Sequence, residues 1–218
     1  MAAAAFFDLD GTLLTVNSAR LWLRRERRLG RVSGGQAVRA ILMLASYHLG
    51  ILDMEGALRA ALRPIRGVPE ERIRTETRTW WGEDVRAFVA PGARAVLEAH
   101  RRAGDRLVLL TSSSRYAAEM AREEFGLEEA LFQRYELRDG CFTGEPLRPI
   151  CFARGKVEVA ERWAAERGVD LAASSFYSDS STDLPMLERV GHPFAVGPDP
   201  RLRVVARARG WPILDWTR

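Results

Sequence analysis

Lysine is almost missing from this chain of 218 residues: of its 33 basic residues, Lys156 alone is not arginine. An ammonium kept once, where a guanidinium serves everywhere else, marks a place that calls for a compact point charge rather than a planar fork. Cysteine is scarce as well. Cys141 and Cys151 are too few to frame a disulfide scaffold and read as free thiols of a reducing compartment. The three histidines, His48, His100 and His192, are scattered without the spacing of a metal set. No basic leader precedes the opening alanines, and Asp8 interrupts any apolar signal core. The longest apolar stretch, residues 41–52, carries His48 and falls short of the about 20 residues that a membrane-spanning helix needs. These absences argue against a disulfide-rich secreted protein and against stable membrane insertion, and the expectation is a cytoplasmic chain. A net charge of +4 is too mild for an obvious nucleic-acid binder. Neither internal repeats nor low-complexity tracts occur.

What is present describes a globular chain, 47% hydrophobic and 28% charged, long enough for one domain or one domain with an insertion. Its most informative segment is Phe6-Phe7-Asp8-Leu9-Asp10-Gly11-Thr12-Leu13. An apolar run that reads as a short buried strand ends in two carboxylates two positions apart, followed by a turn. Side chains at i and i+2 of an extended segment point the same way, so Asp8 and Asp10 can face one reacting group. Asp-Gly by itself is a common turn pair, but a turn needs only one of these acids.

From about residue 17 to 88 the periodicity is helical. Asn17 or Ser18 caps a first helix carrying Leu21, Trp22 and Leu29, residues 37–49 make a second, 54–62 a third stopped by Pro64, and 69–80 a fourth. The first helices hold Arg20, Arg24, Arg25, Arg27, Arg28, Arg31 and Arg39 against one acid, Glu26, which reads as a solvated face. Trp80 and Trp81 read as packing at the junction with the rest of the chain. After Pro91-Gly92, strands and helices alternate: helix 93–102 closed at Gly104, strand 106–110, helix 114–125 closed at Gly126, a hairpin around Asp139-Gly140, helix 155–167, strand 174–177, short helix 184–188, strand 193–196. Such alternation predicts an α/β fold with a doubly wound parallel sheet, built from residues 1–15 and 89–218, with residues 16–88 inserted after the first strand as a helical cap.

Ligands of open parallel sheets bind at the carboxyl ends of strands. Three predicted strands end in polar groups: in Asp8, in Thr111-Ser112-Ser113-Ser114, and in Ser178-Asp179, the last leading to Asp183. With Lys156 in Gly155-Lys156-Val157, their order resembles the four motifs of the haloacid dehalogenase (HAD) superfamily, and Ser178-Asp179-Ser180-Ser181-Thr182-Asp183 running into Leu184-Pro185-Met186-Leu187 is similar to its phosphoserine-phosphatase-like subfamily IB. Ser178 stands where the family usually has glycine.

The resemblance implies a Rossmann-like HAD core and a Mg²⁺-dependent phosphomonoester hydrolase acting on a small phosphorylated metabolite. Asp8 is then the nucleophile that forms an aspartyl-phosphate, and Asp10 the general acid and base. Asp8, Asp179 and the backbone carbonyl of Asp10 are the implied metal ligands, Thr111, Ser112 and Lys156 the phosphate-binding residues, and Asp183 their support. Backbone N–H groups of the serines after Thr111, at a helix start, complete the anion cradle. Two departures turn the expectation away from phosphoserine: no acid lies at Thr15 to Ser18 to meet a substrate ammonium, and serines follow Thr111 where that class has glycines. Histidinol phosphate and glycerol phosphate stay open as substrates. A phosphotransferase or mutase on the same intermediate, or a non-catalytic binder of a phosphorylated ligand or an anionic membrane surface, are the competing readings.

Overall fold

Alternation sends Phe6 and Phe7 of β1 (Ala4–Phe7) to opposite faces of the strand, and both are fully buried, which a strand achieves only in the middle of a sheet covered on both sides. In the computed structural model, which describes residues 2–35 and 54–217, β1 lies between β2 (Arg106–Ser114) and β6 (Ser175–Ser178), parallel to both. With β3 (Glu129–Gln133), β7 (His192–Val196) and β8 (Ile213–Leu214), the sheet has six parallel strands in the order β3-β2-β1-β6-β7-β8. This is the doubly wound α/β architecture expected. The strand order reverses between β1 and β6, the switch point at which such sheets hold ligands.

On one face, Phe7, Leu109 and Tyr177 pack with Leu97 of α4 (Ala93–Ala103), Ala118 of α5 (Arg115–Phe125) and Trp216. On the other, Phe6, Val108 and Phe176 pack with Trp163 of α6 (Arg154–Arg167), Met186 of α7 (Leu184–Leu187) and Leu202 of α8 (Pro200–Arg209). Each buried Val, Leu, Phe or Met among them contributes about 1.5–3 kcal/mol by leaving water. Between β1 and α4 the described chain carries α1 (Ser18–Arg28), α2 (Met54–Leu62) and α3 (Glu70–Trp80), and α3 widens into a π turn, Trp81–Val85. Asn17 caps α1 by accepting the Arg20 N–H at 3.2 Å. The expected helix at 37–49, the apolar stretch 41–52, Arg39 and His48 lie outside the described residues. Among the described residues no helix is long and apolar enough to cross a membrane.

Three features differ from expectation. β2 runs on to Ser114 instead of stopping at Leu110, because β3, which no local signal announced, supplies pairing partners as far as Ser114 opposite Gln133. The chain after residue 197, for which no element was expected, adds α8 and the edge strand β8. The arginine-rich face of α1 is not simply solvated: Arg25 meets Glu83 at 3.0 Å, Arg28 meets Asp84 at 2.9 Å, and Arg31 meets Glu76 at 2.9 Å. Acids from α3 and the π turn thus answer three of the six described arginines in a stripe that looked unbalanced in sequence. Trp80 and Trp81 are buried in the same apolar cluster as Leu21, Leu14 and Val85, which leaves neither ring open to stack on a ligand.

The hairpin β4 (Tyr135–Arg138) and β5 (Cys141–Pro146) stands apart from the main sheet. It grips the segment from Gly67 to Glu70 instead. Gly67 donates its N–H to the Phe142 carbonyl at 2.8 Å, Phe142 donates to Val68 at 3.0 Å, and Glu70 donates to Gly140 at 2.8 Å.

Candidate active site

Asp8 follows β1 directly and donates its N–H to the Tyr177 carbonyl at 3.0 Å, which seats it at the carboxyl edge of the sheet between β1 and β6. Lys156, in the first turn of α6, comes from 148 positions away to donate from Nζ to Asp8 Oδ1 at 2.8 Å and to Asp183 Oδ2 at 2.7 Å. The same Asp183 oxygen accepts from Ser178 Oγ at 2.7 Å, while Asp183 Oδ1 is buried without a hydrogen-bond partner. Lys156 itself is 3% exposed.

Asp179, after β6, lies against Gly11. A methyl group on Gly11 would stand 2.2 Å from Asp179 Oδ2, and the backbone there has φ +76°, so glycine is required twice over. Asp10 is fixed at both oxygens: Oδ1 accepts the Ser18 N–H at 2.7 Å at the start of α1, and Oδ2 accepts from Ser113 Oγ at 3.4 Å. Thr111, on β2 two residues before Ser113, is buried, and Ser112 is partly buried. Ser113, however, donates its N–H to Thr111 Oγ1 at 3.1 Å, so that one donor of the expected cradle is turned inward.

The chain therefore brings Asp8, Asp183 and Lys156 into direct contact, sets Asp179 against the Asp10-Gly11 turn, and ties Asp10 to Ser113 at the end of β2. Two contributors were not foreseen. The Ser18 N–H on Asp10 has no side-chain signal, since any residue offers a backbone donor. Asp199 holds the other side, accepting the Ser181 N–H at 2.6 Å and the Leu202 N–H at 2.7 Å, and its own N–H donates to the Asp179 carbonyl at 2.8 Å. Asp199-Pro200 is a helix-start pair that could have been read.

Four carboxylates here share one ammonium. Burial, only partly offset by Lys156, pushes the Asp8 carboxyl up to about 7, with Asp183 and Asp10 adding repulsion. Burial also raises Asp10, against the pull of the Ser18 N–H, and burial with the charges of Asp8, Asp183 and Asp10 raises Asp179 well above the carboxylate range. Among the described residues no three His, Cys, Asp or Glu side chains form a ready-made ion cage. A surface depression of about 430 Å³ on the outer side of α4 and α5, lined by Arg94, Leu97, Glu98, Arg101 and Phe125, shares no residue with this site.

A stability consequence follows with a definite sign. A carboxyl whose folded pKa lies above its unfolded value of 3.8 binds more protons folded than unfolded, so between 3.8 and about 7 its contribution to stability is lost as pH rises. In chelator, Asp8→Asn is expected to gain stability relative to the parent across that window, as read by urea unfolding at several pH values. A difference that stays flat would mean that ionising Asp8 costs the fold nothing.

Comparison with known proteins gives one consistent result. The family described as haloacid dehalogenase-like hydrolase matches residues 5–188. The chain is similar to a histidinol-phosphatase of Neisseria meningitidis, with 29% identity over 99% of this chain and 100% of that protein, and to an inhibition of morphological differentiation protein of Streptomyces azureus, with 33% identity over 99% of this chain and 79% of that protein. Among solved structures, a protein of unknown function from Bordetella pertussis superposes with a TM-score of 0.89 at 31% identity, covering 99% of both chains. A phosphoserine phosphatase solved as its phospho-aspartyl intermediate analogue superposes with a TM-score of 0.72 at 19% identity over 100% of this chain and 94% of the other, a likeness of fold.

Proposed function

Because this chain belongs to the haloacid dehalogenase-like hydrolase family, we propose that it hydrolyses phosphomonoesters of small metabolites through an aspartyl-phosphate on Asp8. The observation that carries this reading is the buried contact of Lys156 with Asp8 and Asp183 at the switch point of the sheet. A single ammonium buried among carboxylates is costly where nothing uses it and useful where an anion must be received.

A phosphomonoester approaching this edge is repelled by roughly 4 kcal/mol per carboxylate at 4 Å and an effective dielectric near 20, so positive charge beyond Lys156 is needed. Mg²⁺ fits the donors: all are hard oxygens, they outnumber the cations, and Asp183 Oδ1 is left without a partner. Asp8, Asp179 and the Asp10 carbonyl would hold it, with water completing the shell in place of a third carboxylate. When bound, it supplies positive charge to the phosphoryl oxygens and holds Asp8 anionic.

Asp8 attacks phosphorus, forming a bond from its carboxylate oxygen as the ester P–O bond breaks. Asp10, whose pKa burial raises from the ordinary carboxylate value, gives a proton to the leaving oxygen. It then takes a proton from the water that attacks the acyl phosphate, which releases phosphate and restores Asp8. Lys156 faces a phosphoryl oxygen together with Thr111 and Ser112, and Asp183 and Ser178 keep its ammonium aimed. The segment assigned to the cap, residues 16–88, which the β4–β5 hairpin grips at Gly67 to Glu70, would close over the substrate and exclude water.

The names of the relatives, histidinol-phosphatase and phosphoserine phosphatase, agree with a small amine-bearing alcohol. Thr15 to Ser18 contain no carboxylate, and Asn17 spends its side chain capping α1, so phosphoserine is the weaker candidate and histidinol phosphate comes first. The test is release of phosphate from p-nitrophenyl phosphate, histidinol phosphate, phosphoserine and glycerol phosphate, with Mg²⁺ and with chelator. Turnover that disappears in chelator and returns with Mg²⁺ is expected; no turnover on a broad panel of phosphomonoesters would remove the proposal.

A further inference from the structure

Gln133, the last residue of β3, is 1% exposed and stands among the largest fully buried side chains, whose other members are apolar. A buried primary amide must find partners for its donors and acceptor, or it costs more than a hydrocarbon of the same shape. Here all are found, and all are backbone. Nε2 donates to the carbonyls of Arg134 at 2.7 Å and Leu147 at 3.0 Å, and Oε1 accepts the N–H of Cys151 at 2.8 Å. Leu147 in turn donates its N–H to the Arg134 carbonyl at 2.9 Å.

One amide therefore clasps the outgoing and returning legs of the β4–β5 hairpin and the turn that leads into α6. In the sheet its backbone sits opposite Ser114, the residue that caps α5 directly after Thr111, Ser112 and Ser113. On the other side the chain has little freedom between Cys151 and Lys156. Phe152 donates to the Ile150 carbonyl at 2.7 Å, Gly155 donates to Phe152 at 2.8 Å, and a methyl group on Gly155 would stand 1.8 Å from Ile150 O. Lys156 is the next residue. A displacement at Cys151 is thus passed through a tight turn to the ammonium that meets Asp8.

We propose that Gln133 is the positioning residue that sets Lys156 against Asp8 and Asp183, and that it links that setting to the hairpin holding the insertion. The proposal deepens the phosphatase reading, since it assumes that Lys156 serves the reaction. Its central readout does not need turnover. Lys156 is the sole lysine, so amine-directed labelling followed by mass spectrometry reports one side chain, with the α-amino group as internal reference.

Gln133→Met keeps the length of the side chain and removes all three bonds. Lys156 in this variant is expected to label about tenfold faster than in the native protein under folding conditions, because loss of a buried clasp opens the segment locally. In turnover kcat falls by about 10²-fold, as a small misplacement of a reacting group does. Leu202→Ala, a core truncation in the apolar cluster on the same sheet face, serves as the control for lost stability. It is expected to leave labelling of folded protein at the native rate. Should Gln133→Met not accumulate folded, Gln133→Glu decides by the same labelling, since it retains the acceptor for the Cys151 N–H and loses both donors. Native labelling rates in the Gln133 variants, or equal acceleration in Leu202→Ala, would overturn the proposal. If the native protein hydrolyses no phosphomonoester, the phosphatase reading fails while the labelling comparison still decides the role of Gln133.

Discussion

Asp8→Asn is expected to lower kcat on any phosphomonoester by about 10⁴-fold or more, the order seen when a nucleophile is removed from an enzyme that works through a covalent intermediate. The carboxamide occupies the same space but has no anionic oxygen to form the bond to phosphorus. It also weakens the contact with Lys156, now 2.8 Å from Asp8 Oδ1. The expected variant is folded, at least as stable as the parent near neutral pH by the burial argument, and inactive. Steady-state turnover with Mg²⁺, together with acid-quench mass spectrometry for a phosphorylated protein, checks it. Retention of more than a small fraction of native turnover would sink the covalent mechanism, and a phosphoprotein trapped on Asp8→Asn would place the nucleophile elsewhere.

Lys156→Met is expected to harm both activity and fold. Removing a donor aimed at developing charge costs about 10²- to 10³-fold in kcat. Removing one member of a buried ion cluster costs about 3–5 kcal/mol, because Asp8 and Asp183 are left facing each other without compensation. The stability loss should shrink as pH falls, because Asp8, no longer held down by the ammonium, takes up a proton more readily than in the parent and the repulsion is relieved. Lys156→Arg is not expected to rescue either property, since a wide planar fork does not fit between two oxygens held at 2.8 and 2.7 Å at a site that is 3% exposed. Urea unfolding at acid and neutral pH and initial rates on p-nitrophenyl phosphate provide the measurements. A Lys156→Met protein with native turnover would remove the role assigned to the ammonium.

The strands and helices of the inner sheet were legible because their signals are local. Phe6-Phe7 running into Asp8, and Phe176-Tyr177 into Ser178-Asp179, carry apolar density on the strand and polarity at its end, whichever neighbours they meet. β3, with the sequence Glu129-Ala130-Leu131-Phe132-Gln133, carries no such signal: its residues suit a helix as well as a strand, and only pairing with β2 decides between them. The two-residue strand β8 is below the length at which any pattern exists. The helix starts at Asn17 and Ser114 were readable because a capping side chain bonds to N–H groups two or three residues away.

By itself, the amino-acid sequence determined the acids that end the first strand, the single ammonium, and the succession of strands that carries them to one edge, since each depends on residue type and short spacing. The tertiary structure alone decided the partnerships. Lys156 bridging Asp8 and Asp183, Glu76, Glu83 and Asp84 answering the arginines of α1, and Gln133 satisfied by three backbone groups all join positions far apart in the chain. A charge or an amide declares in sequence that it needs a partner, but which partner it finds is set by the burial and close packing that folding imposes.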